Sequence, residues 1–76
     1  MLDKKKAYER YKELRGDKTD KEVAIATGID QATLSNWGSG NYMPKVDKLM
    51  KIAKYFDVAV DEFLIEVEDS NGKDNL

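Results

Sequence analysis

The sequence predicts an all-α, five-helix bundle, and three observations predict it. Apolar residues recur at three- and four-residue spacing in several segments, and no segment shows the alternation of a half-buried strand. Helix-starting residues (Asp3, Thr19, Asp30) alternate with helix-stopping glycines (Gly16, Gly28) over the first 30 positions. The chain has 76 residues with no cysteine and no histidine. It therefore has room for one small domain, stabilised by packed apolar faces rather than by disulfides or a thiolate metal site.

The first helix is expected over 3–15. Asp3 caps it, Ala7, Tyr8, Tyr11 and Leu14 form its inner side, and Gly16 ends it. Thr19 caps the second helix, and Glu22 three residues on completes a capping box. Val23, Ala24 and Thr27 follow before Gly28. The third helix runs from Gln31 to about Trp37, with Asp30 as its cap. GSGNYM is a loop, and Pro44 precedes a fourth helix over roughly 45–56. Val46, Leu49, Met50, Ile52, Ala53 and Phe56 form one wide apolar stripe on it. A fifth helix is expected over about 60–66, offering Phe63 and Leu64, although Ala59 supplies no capping oxygen. The domain is thus read as 1–66. The remaining residues, 67–76, form an acidic tail that is expected to be disordered.

Composition narrows the function classes. Without histidine the chain lacks the commonest general base and metal ligand. Its carboxylates, lysines, serines and tyrosines make no recognisable catalytic order, so no enzyme, no cofactor, no metal and no small-molecule substrate are expected. No apolar run approaches a membrane span, and MLDKKKAYER lacks the apolar region of a secretory signal, so a cytoplasmic location is the expectation. The net charge of −2 conceals an asymmetry. Residues 1–56 carry a net +4 and residues 57–76 a net −6.

Only Gly28, Ile29 and Asp30 separate the second helix from the third, so the two must meet at a sharp angle. Gly28 can adopt the positive φ that such a bend needs. Ile29 turns inward as a plug, and Ala24 permits close contact one turn earlier. This order is that of a helix-turn-helix. On a helical wheel, Leu34 and Trp37 share one side of the third helix. Ala32, Ser35 and Asn36 lie opposite, Gln31 lies in the exposed first turn and Thr33 at the boundary. Gln and Asn can make bidentate hydrogen bonds to adenine, and an Ala methyl packs on a thymine methyl.

The run TDKEVAIATGIDQATLSNWGSGNYMPKVDKLMKIAKYFDVAVDEFL resembles the phage repressor/Cro (XRE-type) helix-turn-helix DNA-binding family. The likeness spans about residues 7–65. It rests on Thr19, Ala24, Gly28, Leu34, Trp37, the SG pair, Pro44, LxxIAxYF and VxxDEFL, in that order. The resemblance implies a five-helix, lambda-repressor-like domain whose third helix enters the major groove of double-stranded DNA. The family's base-reading positions fall on Gln31, Ala32 and Asn36, with Thr33 and Ser35 beside them. Its phosphate-contacting positions fall on Thr19, Asp20 and Lys21 and on Ser39 and Asn41 of the loop, with Lys45 a further phosphate candidate. It also implies a homodimer on a palindromic operator and a role in transcription regulation, often as a repressor.

Two departures stand out. The family commonly has Gln after the second helix's cap, where this chain has Asp20, whose charge repels a phosphate unless Lys18 or Lys21 offsets it. The loop after the third helix is often basic in the family and reads Asn41, Tyr42, Met43 here. Lys4, Lys5 and Lys6 read as a solvated helix start rather than a DNA arm, and Lys48, Lys51 and Lys54 as the exposed side of the fourth helix. The alternative function is a protein-interaction module or antitoxin-type protein on the same scaffold, with weak or no DNA binding.

Overall fold

The computed structural model describes residues 1–67. Four α-helices, α1 (Lys4–Arg15), α2 (Asp20–Thr27), α3 (Gln31–Gly38) and α4 (Val46–Phe56), precede a single 3-10 turn, Val60–Phe63. The start of α1 is capped by Asp3, whose carboxylate accepts the Lys6 amide at 3.0 Å. Gly16 ends that helix at φ +59°, its amide donating to the Lys12 carbonyl at 3.0 Å. The capping box of α2 closes in both directions. The Glu22 amide donates to Thr19 Oγ1 at 3.1 Å, and the Thr19 amide to Glu22 Oε2 at 3.2 Å.

The core is one cluster drawn from every element. Ala7 and Tyr11 come from α1, Val23 and Ala24 from α2, and Ile29 from the turn. Leu34 and Trp37 come from α3, Leu49, Ile52 and Ala53 from α4, and Phe63 from the 3-10 turn. Trp37 is its hub. The indole stacks on Tyr11 at 5.1 Å between centroids and meets Tyr8 and Phe63 edge-on at 5.6 and 6.0 Å. Its buried N–H donates to the Lys4 carbonyl at 3.1 Å, which ties the end of α3 to the start of α1. Tyr8 and Leu14 are half-buried against this cluster.

Three elements depart from expectation. Asp30 makes no side-chain cap to α3. Its own backbone carbonyl, rather than its carboxylate, takes the Thr33 amide at 3.1 Å. The stripe on α4 is narrower than six residues, because Val46 and Met50 remain 49 % and 56 % exposed. At about 100° per residue they lie roughly 70° and 110° from the centre of the Leu49–Ile52–Ala53–Phe56 side. The expected fifth α-helix over 60–66 is only the Val60–Phe63 turn. Beyond it the backbone pairs with the N-terminal segment. The Asp3 amide donates to the Ile65 carbonyl at 2.6 Å, the Val67 amide to the Met1 carbonyl at 2.8 Å, and Leu2 bridges Glu66 antiparallel. Those extended pairings, together with the missing cap at Ala59, end the helical course early. Apart from Val67, the expected tail of residues 67–76 lies outside the described residues.

Candidate nucleic-acid interface

Local sequence sets the angle between α2 and α3. Gly28 takes the left-handed conformation at φ +76°, which a side chain would strain, and its amide donates to the Ala24 carbonyl at 2.8 Å. Ile29 is then driven inward and is buried. Thr27 Oγ1 bridges the corner, donating to the Val23 carbonyl at 2.7 Å and accepting the Ile29 amide at 3.3 Å.

The third helix is held from one side only. Leu34 and Trp37 are fully enclosed, while Gln31, Ala32, Ser35 and Asn36 are exposed and Thr33 is half-buried. Ser39 continues the outer face, since it lies one turn beyond Ser35 and its amide donates to the Ser35 carbonyl at 3.1 Å. The outer surface of α3 is therefore a short row of amides, hydroxyls and one methyl, free of charge along its length.

Thr19, Lys21, Ser39, Asn41 and Lys45 are all exposed. Their hydrogen-bonding capacity differs. The capping box occupies the Thr19 and Glu22 amides internally. In the loop, the Ser39 hydroxyl donates to the Asn36 carbonyl at 2.9 Å and accepts from Asn41 Nδ2 at 3.1 Å. The Gly40 amide donates to the Trp37 carbonyl at 3.1 Å. The start of the loop, Ser39 to Asn41, thus turns several of its donors inward, and Lys21 and Lys45 are the cations among these five positions.

Asp20 does not face outward as a bare charge. Its Oδ1 accepts from the Tyr11 hydroxyl at 2.8 Å and from Arg15 Nη1 at 2.5 Å, with the Arg15 and Asp20 side chains each only 19 % exposed. The offset expected from Lys18 or Lys21 is supplied by Arg15. No local spacing rule reveals this, because Tyr11 and Asp20 lie nine residues apart across a helix end and a loop. Burial, and then the adjacent Asp20 carboxylate, push the Tyr11 phenol well above its ordinary range.

A sharp Gly-bent corner followed by a helix anchored on one side is the geometry of a helix-turn-helix, and a family profile described as Helix-turn-helix matches residues 10–63. The chain belongs to this family. Within it, the chain is of the XRE type, like lambda repressor and Cro. The helix-turn-helix family is one of DNA-binding domains, generally non-enzymatic, and membership implies double-stranded DNA as partner. No curated protein and no solved structure gives a match to the chain. Among the described residues no helix is long and apolar enough to cross a membrane.

Proposed function

We propose that this chain is a small transcription regulator that binds double-stranded DNA sequence-specifically, a Cro- or repressor-like protein acting as a homodimer on a palindromic operator. The observation that carries this reading is the uncharged, exposed outer face of α3 set against the buried Leu34 and Trp37. Small and amide side chains let a helix approach the floor of the major groove closely. This one brings groups that match base edges. Gln31 and Asn36 donate and accept in pairs against adenine, the Ala32 methyl packs on a thymine methyl, and Thr33 and Ser35 add hydroxyls at the margin. Thr19, Lys21, Ser39, Asn41 and Lys45 set the register on the phosphates, which carry no sequence information themselves.

Size argues for the dimer. An α3 of eight residues is about 12 Å long and spans only three or four base pairs at ~3.4 Å each. One copy reads too short a sequence to distinguish an operator, whereas two copies related by a dyad read twice as much. Bound over a promoter, the pair would exclude polymerase.

Selection of duplexes from a random pool by the purified chain tests the reading. The expected enrichment is an inverted pair of short half-sites about one helical turn apart, roughly 34 Å centre to centre. Affinity for the selected site should fall linearly in log K against log salt. A pool that yields no enrichment, with no retention of mixed duplex at low salt, would leave the scaffold as a protein-interaction module.

A further inference from the structure

Neither the α2 corner nor the loop after α3 is rich in cations, yet phosphate neutralisation often dominates protein–DNA affinity. The fold brings cations to the interface from elsewhere. Tied to α3 by the Trp37 indole on the Lys4 carbonyl (3.1 Å), the first turn of α1 stands beside the loop. Between them runs a groove. It is lined by Lys4, Lys5 and Tyr8 from α1 and by residues 37–40 from the end of α3 and the loop. No carboxylate lines it, and among the described residues Lys4 and Lys5 make no ion pair.

Gly38 is what opens the groove. A Cβ at this position would come within 2.8 Å of the Tyr8 hydroxyl oxygen and 2.9 Å of the ring carbon bearing it. Any other residue at position 38 would push Tyr8 aside, so the absent side chain leaves the phenol hydroxyl at the mouth of α3's last turn. Lys12 Nζ lies 5.8 Å from the Tyr8 ring centroid and extends the positive field along α1. Ser39 belongs to both the groove and the outer face of α3, so the groove opens where that face ends.

We propose that Lys4 and Lys5, together with the Tyr8 hydroxyl, form a phosphate clamp that grips a DNA backbone phosphate at the C-terminal end of α3. The inference rests on the DNA-binding reading above and adds α1 to the interface. It also accounts for a loop that carries no basic residue from Ser39 to Met43, since the charge missing there comes from the helix tied to it. With Lys21 near one end of α3 and this clamp at the other, the helix is held on the groove at both ends.

The test compares Lys4→Gln/Lys5→Gln with Lys51→Gln/Lys54→Gln, a pair of equal charge change on exposed positions of α4. All four lysines are exposed, so folding should survive. The expected result for the α1 pair is a salt slope lower by about 1–2 and an affinity roughly ten- to a hundredfold lower at 0.1 M salt, equally on all sequences. The α4 pair should move both much less. Replacing single phosphates of the duplex by neutral methylphosphonates then locates the contact. At one phosphate per half-site, the replacement should weaken the wild type while leaving the α1 variant unaffected. Wild-type binding with no greater loss in the α1 pair than in the α4 pair overturns the clamp alone. A wild type that binds no duplex at low salt overturns the DNA-binding reading, and the clamp with it.

Discussion

Replacing Asp20 by Asn separates two roles for that carboxylate. Asn keeps an oxygen to accept from the Tyr11 hydroxyl, so the substitution removes chiefly the charge facing Arg15. The pair is mostly enclosed, with each side chain 19 % exposed, which places it between a solvated surface ion pair and a desolvated one. Charge-assisted hydrogen bonds contribute about 1.5–3 kcal/mol when protected, and solvent screening pulls that toward the lower end. Arg15 Nε is already buried without a partner, so a weaker partner at Nη1 leaves the guanidinium poorly compensated on two sides. The expected loss is about 1–2 kcal/mol, and for a domain of this size each kcal/mol lowers Tm by about 4–8 °C. Urea and thermal unfolding followed by far-ultraviolet circular dichroism measure it. Duplex affinity at saturating fold should shift less than about threefold, with an unchanged salt slope. Unaltered stability together with an affinity about tenfold higher and a steeper slope would refute the reasoning. Asp20 would then be an outward charge that repels phosphate.

Other perturbations have equally definite outcomes. Gln31→Ala should cost about 1–3 kcal/mol on the selected site and relax preference at one base pair, measured by titrating a panel of single-base variants; an equal loss on every duplex would show that Gln31 reads no base. Trp37→Phe removes the donor from the Lys4 carbonyl and leaves a void beside Tyr11. It should lose about 2–4 kcal/mol in urea unfolding, and a loss below about 1 kcal/mol would contradict the hub role. The Tyr11 phenol, raised in the fold from an unfolded value of about 10, keeps its proton where the unfolded chain loses it. The stability this contributes is whole below pH ~10 and is lost as pH rises from there toward the folded value. Tyr11→Phe should therefore flatten the alkaline fall in stability, as followed by circular dichroism from pH 8 to 12.

What local chemistry dictates was legible in the sequence. The caps at Asp3 and Thr19, the stop at Gly16, the Gly28 bend and the inward Ile29 need only neighbours within a few residues, and each stands where the pattern places it. The division of α3 into an enclosed and an outer side was equally plain, because two large apolar residues three apart leave one solution. Asp30 stands at the predicted N-cap, but there its backbone carbonyl, not its side chain, holds the Thr33 amide. The fifth helix failed for a non-local reason. Residues 65–67 find partners on residues 1–3, more than sixty positions away, and no periodicity inside the segment reports that competition. The Tyr11–Arg15–Asp20 network and the groove under Tyr8 are invisible for the same cause. Each depends on which helices become neighbours, and Gly38 looks like an ordinary loop glycine until Tyr8 is placed beside it.

The one-sided anchoring of α3 also bears on how such a protein changes over time. Within eight residues, the positions that stabilise the bundle and the positions that meet the outside world do not overlap. Substitutions at 31, 32, 35 and 36 leave the buried cluster untouched, so new target preferences can be explored at little risk to foldedness. A chain this small has scant stability to spare, and that partition lets its recognition drift while its architecture stays put.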